Sequence, residues 1–202
     1  MIFDMKDFSG SQRYHLMTQS LIPRPIAWVL TSSQDKSWNL APFSYFTAIS
    51  SEPPLLMISC GTKAADGDIK DTTRNLRANG RASVMIASSD MINKVQTTAD
   101  PLAHGVSEVE HAGLNLKSVE GLEFPIVEGV SVAFACSLYE EKLINKQSLL
   151  FLEVSSLWVA DKVASQDPKG RTVIDPKGID PLCRLGAGWF GELGSVSKPD
   201  SK

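Results

Sequence analysis

Basic excess is missing from this 202-residue chain: 20 Lys and Arg stand against 23 Asp and Glu, a formal net charge of -3. A surface that grips a polyphosphate backbone needs the opposite balance, so nucleic acid is not an expected partner. No apolar run approaches the roughly 18 to 20 residues that cross a bilayer. The N-terminus carries Asp4 and Asp7 where a secretory leader would place a basic head and an apolar block. The chain therefore reads as cytoplasmic, without a membrane partner. Cysteine is scarce: Cys60, Cys136 and Cys183 lie far apart with no histidine at ligand spacing, which excludes a disulfide framework and a metal site. Cys60 and Cys136 fall in apolar stretches and read as small buried hydrophobes. No G-x-S-x-G motif occurs and no histidine is tied to a nucleophile, so a serine or cysteine hydrolase is a poor reading. His15, His104 and His111 receive no role. No G-x-G-x-x-G fingerprint of a Rossmann unit is read in the chain.

What is present is ordinary globular composition, 43% hydrophobic and 21% charged, in a length that one domain over residues 1–202 can occupy. Short apolar runs at 25–32, 54–60 and 82–87 read as strands. In 130–139, Val130, Val132, Phe134, Cys136 and Leu138 alternate with smaller residues, which predicts a strand with one face to the core. A last long strand is expected over 149–160, with a bulge at Ser155 and Ser156. Helices are expected from Asp68 as N-cap to a stop at Gly80, over 90–98, and after Ser107, whose capping box with Glu110 ends at Gly113. Residues 165–181 read as loops, and the tail from about 192 as frayed or draped on a neighbour. The fold class is mainly β, a β-rich barrel or sandwich with short peripheral helices.

The chemistry concentrates in 21–46, L-I-P-R-P-I-A-W-V-L-T-S-S-Q-D-K-S-W-N-L-A-P-F-S-Y-F. Pro23 and Pro25 hold Arg24 in a stiff extended setting that suits an anion. Thr31, Ser32 and Ser33 supply hydroxyls, and 39–44 offers main-chain groups interrupted by Pro42. This mixture of apolar walls and fixed donors fits a flat ring with polar edges, such as a flavin; Phe43, Tyr45 and Phe46 are candidate walls, though rings at that spacing equally serve core or dimer packing. The second constellation is K-D-T-T-R-N at 70–75, at a helix start. Amide hydrogens, the helix dipole, the Lys70 charge and a Thr72 or Thr73 hydroxyl are expected to clamp a phosphate together with Arg24.

P-R-P-I-A-W-V with T-S, N-L-A-P-F-S-Y-F, S-x-E-P-P-L, K-D-T-x-R-N-L, S-E-V-E-H-A-G-L at 107–114 and R-L-G at 184–186 together resemble the flavin reductase-like family, over about residues 14–189. The resemblance implies an FMN-binding split β-barrel that works as a homodimer, with noncovalent FMN near the subunit interface. It places Arg24, Thr31, Ser32, Asn39, Ala41, Pro42, Phe43 and Ser44 along the flavin and its ribityl chain, Lys70 and Thr72 at the phosphate, and Ser59 and Cys60 at the ring edge. These are binding residues; no catalytic residue is assigned. The chain departs from the family's pattern at A-S-V-M-I (82–86), where F-V-V-N-L is common, and at Trp189, where a tyrosine is common. The implied activity is that of a flavin oxidoreductase using NADH or NADPH, with a small-molecule electron donor and acceptor. The alternative is an FMN-carrying electron-transfer or sensing protein without nicotinamide-dependent activity.

Overall fold

The computed structural model describes residues 1–63 and 67–199. Helix α1 (Gly10–Ser20) is followed by β1 (Arg24–Pro25), β2 (Ala27–Ser32), β3 (Trp38–Phe43), β4 (Phe46–Ser51) and β5 (Pro54–Cys60). Helix α2 (Asp71–Asn79) leads into β6 (Arg81–Ile86), and α3 (Ile92–Thr97) and α4 (Glu108–His111) lead to the short β7 (Leu116–Lys117) and β8 (Ile126–Val127). The long hairpin of β9 (Val132–Ile144) and β10 (Gln147–Val159) comes next. It is followed by β11 (Ala164–Gln166), β12 (Thr172–Ile174), α5 (Pro176–Ile179), β13 (Cys183–Gly186) and β14 (Trp189–Gly191).

Seven strands pair antiparallel in the order β3-β2-β6-β9-β10-β5-β4. Strands β3 and β4 are joined only by Ser44 and Tyr45, yet they form the two opposite edges of this sheet. The sheet must therefore curl until its edges meet, and because no ladder joins β3 to β4 the barrel stays split. The curl gives β2 and β6 two buried faces. On β2, Ala27 and Val29 point into the enclosed core with Ile58, Val84 and Leu150. Ile26, Trp28 and Leu30 point to a second core covered by Val95 of α3, Val109 of α4 and Ile126 of β8. Trp28 is wholly buried, and its indole N–H donates to Thr98 at 2.8 Å. Leu76 of α2 is also wholly buried and closes the end of the enclosed core, a burial that stabilises by roughly 2 kcal/mol.

Several expectations change for stated reasons. Strand β9 has both faces covered, not one: Ala133 belongs to the outer core and Cys136 to the enclosed one. The bulge at the serine pair is present, with Ser155 left out of the register between Val154 and Ser156. It moves Trp158 to the outer core, away from the face of Leu150 and Leu152. Helix α2 starts at Asp71 with Lys70 as N-cap, because Asp68 spends its carboxylate on the Ile69 amide and Ile69 bridges Thr62. Its stop at Gly80 is as expected, with φ 67°. Ser107 makes no capping box; its hydroxyl donates to the Trp38 carbonyl at 2.7 Å. Residues 165–181 hold the β11–β12 hairpin and α5 in addition to loops. The letters of 186–191 do spell G-x-G-x-x-G, but they form the β13–β14 hairpin and open no helix, so they are no dinucleotide fingerprint. Residues 192–199 are exposed and carry no helix or strand, and Ser201 lies outside the described residues.

Candidate functional site

Helix α2 is seated on β2 and β3 by a buried polar network. Asn39 donates its amide to Thr31 at 3.2 Å and to Thr72 at 3.0 Å, and Asn75 donates to Thr31 at 3.1 Å. Thr31, Asn39 and Thr72 are all buried, and through this network they hold the helix in place. Ser32 lies at the other end of α2, where Asn79 donates to its carbonyl at 2.7 Å. That separates it from Lys70.

The network fixes the N-terminus of α2, and there the predicted residues do converge. Lys70 stands 5.6 Å from the centroid of Phe43. Cys60 is buried beside it; burial pushes its thiol up, while a hydrogen bond from Thr73 and the Lys70 charge oppose that shift. The Lys70 side chain makes no cap hydrogen bond to α2, and no carboxylate pairs with Lys70 among the described residues. Asp71, the acid of the first turn, is engaged elsewhere, by His104 at 2.8 Å and Lys63 at 3.3 Å. The helix start thus offers uncapped amides and an unpaired cation, the donor set a phosphate needs. Ser59 donates to the Gln147 side chain at 3.3 Å, and its amide bonds the Tyr45 carbonyl, which ties β5 to the 44–45 connection. Ala41 and Pro42 are half-buried on the edge strand β3, where a missing amide hydrogen costs no ladder bond.

Arg24 is extended on β1, as its flanking prolines predict, and its guanidinium is engaged within the protein. The side chain is buried, with Nη1 donating to the carbonyls of Thr18 and, at 2.7 Å, Leu21, and Nε to Ser44 at a long 3.4 Å. Its donors fasten the end of α1 to the strand. Helix α1 was itself missed in the sequence, although Ser9 and Gln12 spell its capping box; its one buried residue is Thr18, so it carries no apolar stripe to read. It matters because Tyr14 stands 6.1 Å from the Tyr45 ring, beside Arg24 and Arg184.

Two cavities, of about 90 Å³ between 121–124 and the β9–β10 bulge and about 10 Å³ beside His104, fall short of the roughly 300 Å³ of a small-molecule pocket. Neither is lined by Phe43, Cys60 or Lys70. Cys136 is inert, its thiol pushed up to about 12 by burial. His111 pairs with Asp100 at 3.2 Å on the surface. Among the described residues no cluster could hold a metal ion, and no helix is long and apolar enough to cross a membrane.

A curled antiparallel sheet with unjoined edges, closed at one end by a lysine-headed helix, defines a split-barrel protein. Residues 18–174 match the family described as "Flavin reductase like domain", and the chain belongs to this family of flavin-binding oxidoreductases. Protein YwrF of Bacillus subtilis is 31% identical over 199 residues, covering 96% of this chain and 95% of its own. Among solved structures, nitrilotriacetate monooxygenase component B from Bacillus cereus is 29% identical at a TM-score of 0.86, covering 98% of both chains. An FMN-binding protein from Thermus thermophilus, 21% identical at a TM-score of 0.69 and covering 90% of this chain and 93% of its own, shares the fold.

Proposed function

We propose that this protein binds FMN noncovalently and passes electrons from NADH or NADPH through it to a small-molecule acceptor, as a cytoplasmic homodimer. The observation that carries the reading is the unpaired Lys70 at the uncapped start of α2, packed over Phe43. Lys70 and the first amides of α2 hold the phosphate, while 41–44 and the end of β5 at Ser59 and Cys60 line the ring. Thr31, Asn39 and Thr72 contribute by fixing α2, and Arg24 by fixing Ser44. Bound flavin supplies hydride acceptance and onward electron transfer, so the chain's task is to position it and shield it from water. The Thermus neighbour's description as FMN-binding agrees with the choice of flavin.

Lys70→Met is expected to weaken FMN binding by about 1–3 kcal/mol, the scale of a charge-assisted hydrogen bond, with the unfolding midpoint unchanged. Fluorescence titration checks it, and equal affinity in the variant refutes the phosphate assignment. Anaerobic addition of NADH or NADPH to the FMN-loaded protein separates the oxidoreductase from a carrier: bleaching of the flavin band by either donor supports the former, and no bleaching by both supports the latter.

A further inference from the structure

The R-L-G motif at 184–186 lies outside the phosphate site, and its arginine is placed unusually. Arg184 on β13 is the direct cross-strand partner of Arg24 on β1. Like charges opposite each other in an antiparallel pair destabilise it unless something answers them. Among the described residues no carboxylate lies within ion-pair reach of either guanidinium. Arg24 turns Nη1 to the Thr18 and Leu21 carbonyls and Nε to Ser44, whereas the Arg184 guanidinium donates to no acceptor among the described residues. Its guanidinium lies 4.2 Å from the centroid of Phe190, and the residue is half-buried. Burial and the Arg24 charge both push its pKa down, while the Tyr14 phenol opposes them. Tyr45, whose ring lies 6.1 Å from that of Tyr14, stands on the Arg24 side of the pair. Stacking on Phe190 holds the planar fork in one orientation with its N–H groups uncommitted, the arrangement that suits two oxygens of one anion.

We propose that Arg184, backed by the Arg24 charge and flanked by the phenol of Tyr14, is a subsite for an organic oxyanion separate from the Lys70 phosphate clamp. Its ligand is the molecule that meets the flavin, through a phosphate of the nicotinamide donor or a carboxylate of the acceptor. Its place next to the flavin rests on the reading above, because the link is Ser44, bonded to Arg24 and adjacent to Phe43. The anion site itself does not depend on that reading.

The test is calorimetric titration of inorganic pyrophosphate, NADPH and benzoate into wild type, Arg184→Gln and Arg184→Lys, with and without FMN. Wild type is expected to bind at least one probe, less tightly as salt is raised, and Arg184→Gln to lose about tenfold or more in affinity. Arg184→Lys, which keeps the charge without the fork, falls between the two and serves alone if the glutamine variant does not fold. FMN affinity stays at the wild-type value. Loss confined to pyrophosphate and NADPH assigns the subsite to the donor, and loss confined to benzoate assigns it to the acceptor. The proposal is overturned if no probe binds wild type, if neither variant alters affinity, or if the variants change only the monomer–dimer balance. Arg184-dependent binding in a protein that takes no FMN would uphold the anion site and refute the flavin reading instead.

Discussion

Arg24 and Gly186 show how much a motif letter depends on its surroundings. Two prolines make Arg24 stiff and extended, as the sequence implies, yet the guanidinium turns inward and serves the Thr18 and Leu21 carbonyls. Arg24→Met is therefore expected to act on the fold before it acts on the ligand. Leaving the Thr18 carbonyl unpaired costs about 1–3 kcal/mol, so the urea midpoint should fall, whereas Lys70→Met leaves it in place. A wild-type midpoint in Arg24→Met would return the residue to the ligand site. Gly186 explains the last letter of R-L-G. Its φ is 86°, and a Cβ there would fall 2.5 Å from the Thr18 carbonyl oxygen, part of the same backbone that Arg24 holds. Gly186→Ala is expected to destabilise by about 1–3 kcal/mol from the forced positive φ alone, and by more from the collision. An unfolding midpoint within error of wild type would show that α1 can move aside.

Among the elements, α4 is tied to β3 by Glu108, whose buried carboxylate accepts from the Leu40 amide at 3.0 Å. Burial pushes this carboxyl up, against the lowering effect of the Leu40 bond. A carboxyl whose folded value is raised stabilises fully below its unfolded value and loses that contribution as pH climbs through the folded one. Glu108→Gln keeps an acceptor for Leu40 without the charge. Its stability relative to wild type should thus be greater at about pH 7 than at about pH 4, by paired urea titrations. A pH-independent difference would place the charge in water. The same element scale shows what was legible from residues alone. Strands reveal themselves by short apolar runs, and the Ser155 bulge by its serine pair, because both signals are local. The start of α2 is misread because Asp68 and Asp71 both favour a helix start, and only the Thr62–Ile69 bridge decides between them. Thr31, Asn39 and Thr72 stand out in the sequence as polar residues of one site. Whether such residues face a ligand or one another depends on a helix 33 positions further along the chain, which no local pattern records.

For the whole molecule, the open question is what covers the split side. Strand β4 is a sheet edge reading F-T-A-I-S-S, without a charged residue, and five of its six residues are exposed. Ile49 forms a bulge in its pairing with β5 and is 48% exposed. Met17, Leu21 and Ile22, on and just after α1, add further exposed apolar surface ahead of β1. Stable monomers blunt such edges with charge or cover them, and among the described residues no strand pairs with this edge and no charge lies on it. A second copy laid across β4 would bury the edge and supply the wall that the Phe43–Lys70 surface lacks, joining the assembly to flavin binding. Ile49→Lys puts a charge where the copies would meet. It is expected to raise the dimer dissociation constant at least about tenfold, roughly 1.4 kcal/mol, and to weaken FMN binding in parallel. Sedimentation and flavin titration on the same samples check both halves. A wild-type protein that sediments as a monomer while holding FMN tightly would show that one barrel builds the whole site, and the edge would then need another explanation.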